Sequence, residues 1–339
     1  MIGREDLEHC REAIRHGSLS FNAASYLLPG KVRDPALALY AFCRVADDKV
    51  DLAHEKQAAV DLLRDRLRLA YAGRPRNTPT DRAFTAMIEL FEMPRALPEA
   101  LLEGLDWDAK GLRYRTMSDL TAYSARVAGT VGAMMCVLMR VRDPDVLARA
   151  CDLGVAMQLT NIARDVGEDA AAGRLYLPLD WLEEAGLDPD TLIAAPRPTR
   201  AVRYVVRGLL VEAQRLYRRS EAGISALPLS CRPGIFAARY IYAGIGERLR
   251  KDGYDPISAR ARTGSRHKLA LLALALARSA GTALTPRSPM VYASPLPEVA
   301  FLVEAAAEKP GPAWSDVVTG VLTRLAARDR ERAMLGTGI

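Results

Sequence analysis

Two stretches of the chain place oxygen-bearing side chains at helical spacing. In QLTNIARDVGEDAAAGRLYLP, Gln158 to Pro178, the residues Gln158, Asn161, Asp165 and Asp169 stand at offsets of zero, three, seven and eleven, so on a helix of 3.6 residues per turn they share one stripe. Between them, Leu159, Ile162, Ala163 and Val166 are apolar and suit packing on neighbours. Asp165 and Asp169 fall about 6 Å apart along the helix axis, close enough to share a hard cation, which takes oxygen ligands. Magnesium keeps several waters, takes one or two carboxylates and completes its shell with substrate phosphates. One carboxylate pair rarely builds a magnesium site alone.

The second stretch, LYAFCRVADDKVD, repeats nearly the same spacing with Tyr40, Arg44, Asp47 and Asp51. Acidic residues number 41 in 339, so a single pair four apart is ordinarily a solvated helix face. The recurrence decides for a site. Both pairs are flanked by apolar residues, both have a polar residue seven positions before the first Asp, and both have an Arg within three positions of it.

These stripes need helices to carry them, and the pattern around them is helical. Arg4 to Arg15 reads as a helix that runs into HGSLSF, where Gly17, Ser18 and Ser20 break the periodicity. Alone these are turn residues; beside a diphosphate, their hydroxyls and amides become donors. Residues 33–72 read as two helices, the first beginning near Pro35, and Gly73 to Asp81 as a loop. Ala128, Gly129, Thr130 and Gly132 crowd one helix with small residues, permitting either close helix approach or room for a ligand. The second aspartate helix should end between Gly167 and Gly173, leaving RLYLP as an ordered loop near the metal site. Long helices are expected over Arg200 to Ala226 and Pro233 to Lys251, a proline-rich stretch from Thr285 to Leu296, and a last amphipathic helix from Ser315 to Leu335.

Half the residues are hydrophobic, enough for a sizeable core, and the net charge of +6 comes from scattered arginines. That balance suits an anionic substrate or membrane surface better than nucleic acid. The five cysteines form no C-x-x-C pair and read as reduced packing residues of a cytoplasmic protein. The first residues are charged from Arg4 and lack the apolar run of a signal peptide. The most apolar run, Leu269 to Ala277, is too short to span a bilayer; it reads as a buried helix, with bilayer contact as the alternative. No strand followed by a glycine loop appears, and Gly244 and Gly246 fall within a helical pattern.

Taken as a set, GSLSF, YAFCRVADDKVD, YSARVAGTVG, QLTNIARDVGEDAAAGRLYLP and RYIYAGIGERLRKDGYD resemble the squalene and phytoene synthases, head-to-head prenyl-coupling enzymes. The resemblance runs from about Ile14 to Lys268. It implies an all-α fold, a single isoprenoid synthase helical bundle around a central cavity over residues 1–283, with residues 284–339 a proline-rich connection and helical extension packed on it. It also implies roles. Asp47, Asp51, Asp165 and Asp169, with Asn161, would hold Mg2+ (Mn2+ the alternative) bridging to two diphosphates. Arg44 and Arg164 would neutralise diphosphate oxygens, for which the guanidinium fork is suited. Among substrate-binding positions, Ser18 and Ser20 match the diphosphate-side serines, Gln158 and Asn161 the polar positions beside the second motif and Arg260 a late basic position, while Tyr40, Tyr123 and Tyr242 match cavity aromatics.

The wording of the aspartate motifs resembles the phytoene-forming branch most. That branch implies two prenyl diphosphate substrates, geranylgeranyl diphosphate in both places, coupled through prephytoene diphosphate with release of diphosphate and without NADPH. A synthase using farnesyl diphosphate to make squalene or dehydrosqualene is the nearest alternative, and a non-catalytic relative acting in assembly the next. Lipid substrates imply a cytoplasmic protein bound peripherally to membrane, with other carotenoid or prenyl diphosphate enzymes as further partners and no nucleic acid.

Overall fold

The computed structural model describes residues 2–17, 19–52 and 56–307, and the side chains of residues 16–20, 46–52 and 265 are outside that description. Ser18 and the helix expected from Ser315 to Leu335 therefore lie outside the described residues, as do the side chains of Ser20, Asp47 and Asp51. Among the described residues every regular element is helical. The first eight α-helices are α1 (Arg4–Gly17), α2 (Leu19–Ser25), α3 (Gly30–Leu52), α4 (Lys56–Tyr71), α5 (Pro79–Phe91), α6 (Ala96–Ala109), α7 (Met117–Ser124) and α8 (Thr130–Leu138). Then come α9 (Pro144–Ala171), α10 (Leu179–Glu184), α11 (Pro189–Ala194), α12 (Arg200–Ile224), α13 (Arg232–Lys251), α14 (Ser265–Gly281) and α15 (Ala300–Ala306).

Local chemistry sets the helix ends. Asp143 accepts from the amides of Asp145 and Val146 at 2.9 and 3.2 Å and precedes Pro144, so α9 starts with a capped end and a proline in its first turn. Thr116 and Asp119 form a reciprocal capping box at the start of α7. Helix α3 begins at Gly30, not near Pro35. The amides of Val32 and Arg33 donate to the Pro29 carbonyl at 2.9 and 2.8 Å, which nucleates the helix earlier, and Pro35 inside it forfeits only one ladder bond.

Helix α9 is buried along most of its length and packs on α8, α12 and α13, while α3 packs on α1, α4, α5 and α6. Two glycines let α9 approach the helix before it. A Cβ on Gly154 would lie 2.2 Å from the Ala128 carbonyl oxygen, and one on Gly132 would lie 2.2 Å from that of Ala150. The small residues at 128–132 thus permit close approach, and Ala128 and Gly132 also border the central cavity. Ala125–Gly129 forms a π turn joining α7 to α8, a wide turn often found at functional sites.

Beyond α14, the segment through Pro289–Tyr292 is fastened to the bundle. Buried Asp152 pairs with Arg149 at 2.9 Å and Arg219 at 3.0 Å, and these arginines donate to the carbonyls of Met290 and Ser294 at 2.9 and 2.8 Å. Helix α15 then packs on α6, α8 and α9. One expectation fails: the run Leu269 to Ala277 does form part of α14, but it is not a buried helix. Only Ala275 in it is fully buried, and Leu269 is 69% exposed. The helix packs on α13 and has no comparable neighbour on its other side among the described residues.

Candidate functional site

A cavity of about 990 Å³ lies between α3 and α9, lined from both. Its walls divide by chemistry. Leu101, Leu105, Val131, Met135, Leu153 and Met157 line an apolar body. At the other end α9 presents Gln158, Asn161, Arg164, Asp165 and Asp169, while α3 presents Tyr40 and Arg44. Tyr123, Tyr242 and Arg260 also line the cavity. All ten of these residues expected from sequence therefore meet in one space. Asp47 and Asp51 are carried by α3, which continues to Leu52.

Asp165 is the hub of the polar end. The Arg164 guanidinium holds both its oxygens, with Nε donating to Oδ1 at 2.7 Å. Arg260 reaches it from the far side, Nε to Oδ1 at 2.9 Å, and also lies 3.4 Å from the Glu168 carboxylate. Arg260 is delivered by a loop that Asp255 fixes, accepting from the amides of Ile257 and Ser258 at 3.0 and 2.9 Å. Gly167 lets that loop close on α9, since a Cβ there would sit 3.2 Å from the Pro256 carbonyl oxygen.

One turn further, burial and the Asp165 carboxylate push Asp169 up to about 7, outweighing nearby Arg174. A carboxylate so placed favours a cation. Asn161 Oδ1 is buried without a hydrogen-bond partner among the described residues, an orphaned acceptor of the kind a hard cation satisfies. The donor set on this stripe is thus all oxygen and fits a divalent metal. Among the described residues, no three acidic, histidine or cysteine side chains converge as a metal site by themselves. The expected second pair, Asp47 and Asp51, has side chains outside that description.

Several lining residues were not singled out from sequence. Asp108 accepts from the hydroxyls of Tyr123 and Tyr176, both at 2.8 Å. Burial, reinforced by Asp108, raises both phenols well above the usual tyrosine range, so they stay protonated donors. Tyr176 belongs to RLYLP, which is ordered as expected: Leu175 and Leu177 are buried, and the Leu179 amide donates to the Tyr114 carbonyl at 3.0 Å. Asp108 sits on α6 in LDWDAKG, with no spacing that ties it to either aspartate stripe. Phe21 joins Tyr40 and Tyr242, with ring centres 6.1 and 5.1 Å away. Arg174, Arg262 and Lys268 add positive charge to the polar end.

A helical bundle enclosing a long apolar cavity, with an acidic and amide stripe and several guanidinium groups at one end, is the all-α isoprenoid synthase arrangement. Residues 14–271 match the squalene/phytoene synthase family, and the chain belongs to that family. It is 59% identical to a phytoene synthase of Rhodobacter capsulatus, covering 98% of this chain and all of that one. A phytoene synthase of Cereibacter sphaeroides is also 59% identical, over 98% of this chain and 96% of its own. Among solved structures, a dehydrosqualene synthase in complex with ligand superposes with a TM-score of 0.76 at 31% identity, covering 82% of this chain and 98% of that one.

Proposed function

We propose that the chain joins two molecules of geranylgeranyl diphosphate head to head, through prephytoene diphosphate, to give phytoene and two diphosphates. The observation that carries this reading is the meeting, in one cavity, of a carboxylate and amide stripe with an apolar body. Along α9 the lining runs from Val146 to Asp169, about 34 Å at 1.5 Å per residue. That length accommodates a twenty-carbon chain below its diphosphate. The high identity to two phytoene synthases supports the same substrate.

The physical problem is to ionise an allylic diphosphate while keeping water from its cation. We assign Asp47, Asp51, Asn161, Asp165 and Asp169 to holding magnesium, which when bound neutralises charge on the leaving diphosphate. Arg44 and Arg164 bind diphosphate oxygens alongside it, and Gln158, Ser18 and Ser20 donate further hydrogen bonds. Arg260, with Asp165 and Glu168 as its partners, reaches the same oxygens from the loop above α9. The apolar walls exclude water and align the second alkene with the first cation. Tyr40, Tyr242 and Tyr123 face the cationic intermediates, and Asp108 fixes the Tyr123 hydroxyl. The last cation then loses a proton instead of accepting hydride, which leaves a central double bond and needs no NADPH.

The likeness to a dehydrosqualene synthase favours one second reading, coupling of farnesyl diphosphate. We further propose that the protein works at a bilayer surface, where the lipid substrates and other carotenoid or prenyl diphosphate enzymes would meet it. No helix among the described residues is long and apolar enough to cross a membrane. The test is stoichiometry with each prenyl diphosphate in the presence of magnesium. Two diphosphates released per forty-carbon hydrocarbon supports the proposal; product from farnesyl diphosphate alone replaces it with the second reading.

A further inference from the structure

From Pro256 to Pro297 the chain contains no Asp or Glu. At the overall frequency of acidic residues about five would be expected in such a length. The same stretch carries Arg260, Arg262, Arg266, Lys268, Arg278 and Arg287, as many fixed positive charges as the net charge of the whole chain. Among the described residues, only Arg260 and Arg278 of these six find an ion-pair partner.

Helix α14 lies in the middle of this stretch. Its inner side is pinned to α13: Ala275 and Ser279 are buried, and Leu271 reaches Gly244. Among the described residues nothing comparable covers its outer side, which is apolar. Leu269, Leu274 and Leu276 are 69, 43 and 51% exposed, and Leu284 just beyond is 89% exposed. Leu269, Ala273, Leu276 and Ala280 fall on one stripe at 3.6 residues per turn. Single exposed leucines are ordinary; a contiguous row along a helix about 25 Å long marks a contact surface.

We infer that the outer face of α14 rests on an anionic phospholipid bilayer, its leucines entering the acyl boundary and its flanking cations holding headgroup phosphates. Arg266 sits just before the apolar row and Arg287 just after it, the pattern of a helix lying in the interface plane. A second copy docked face to face would set these cations against themselves. An acidic protein would match the charge and leave the leucines without apolar contact. The cavity wall also runs through Thr263, Gly264 and Lys268 into α14, so a bilayer under this helix lies against an element that borders the cavity. The choice of a bilayer rests in part on the proposed lipid substrates.

The experiment is flotation of the full chain with phosphatidylcholine vesicles, with and without phosphatidylglycerol, at low and high salt. The unsubstituted protein should float with the anionic vesicles and release as salt screens the attraction. Leu269→Glu/Leu276→Glu should lower the partition coefficient by at least about tenfold, whereas Leu112→Glu, at an exposed leucine just after α6, should leave it unchanged. Circular dichroism melts confirm that each variant is folded, and Arg266→Glu/Arg287→Glu supplies a second route to the same loss. Turnover of detergent-dispersed geranylgeranyl diphosphate should persist in the leucine variants, none of which lines the cavity. No flotation of the unsubstituted protein, or equal flotation of the leucine variants, overturns the inference. So does a dimer that the leucine substitutions dissociate while vesicle binding persists. Flotation without any turnover would refute the proposed reaction and leave the bilayer contact standing.

Discussion

Asp169 combines burial with the repulsion of Asp165 one turn away, and its pKa near 7 has a direct consequence for stability. In the metal-free protein the folded state binds this proton more tightly than the unfolded chain does. The stabilisation is therefore full below the ordinary carboxylate range and is lost as pH rises toward 7. Asp169→Asn cannot titrate. With chelator present, its Tm should fall less than that of the parent between about pH 4.5 and about pH 8, leaving it higher by about 2–4 °C at the upper end. Parallel Tm curves would contradict the placement. With magnesium added, turnover of the same variant should be at least about 100-fold lower, because one of the proposed magnesium ligands has been removed.

Asp108 offers a different test. It holds two phenols at 2.8 Å, and an amide in its place has only one acceptor oxygen for them. Asp108→Asn should cost about 10–100-fold in kcat and raise the fraction of water-captured alcohols among the products, read by chromatography. An unchanged product profile would show that Tyr123 needs no fixing. The cavity-lining stripe of α9 was legible in the sequence because Gln158, Asn161, Asp165 and Asp169 belong to one helix, and helical spacing alone brings them together. Asp108 was not, and neither was the pairing of Arg260 with Asp165. Both depend on elements distant in sequence folding against one another, which no local spacing reports.

Among elements, α9 carries the site and depends on its glycines. Gly154→Ala would press a methyl group against the Ala128 carbonyl at a distance no real contact shows. The helices must separate, at a cost of about 1–3 kcal/mol, and the cavity wall shifts with them. A lowered Tm together with reduced turnover is the expected outcome; a variant as stable and active as the parent would show that the approach is looser than drawn. Helix α14 marks where element-level reading failed. Its leucine and alanine run has no polar side, and a helix apolar all round is ordinarily buried. The helix itself was legible in the sequence. Its burial was not, because burial depends on which neighbours the rest of the chain supplies, and among the described residues α14 packs chiefly on α13.

On the scale of the whole molecule, the bundle separates charge from apolar space. One end of the cavity gathers carboxylates, amides and guanidinium groups, and the body is lined by leucine, valine and methionine. In the proposed reaction, diphosphate chemistry belongs to the first and the prenyl chains to the second. The polar end was foreshadowed by the stripe of Gln158, Asn161, Asp165 and Asp169 on α9, while the cavity itself arises only from packing. A cation enclosed by such walls, with no hydride donor, can end only by losing a proton or by capturing water, and exclusion of water favours the first. The most direct test is to incubate the purified protein with labelled geranylgeranyl diphosphate and magnesium, with and without NADPH, and determine the mass and central bond of the hydrocarbon. The account predicts phytoene, with its central double bond, in equal yield under both conditions. A hydrocarbon formed only with NADPH, or one with a saturated central bond, would contradict it.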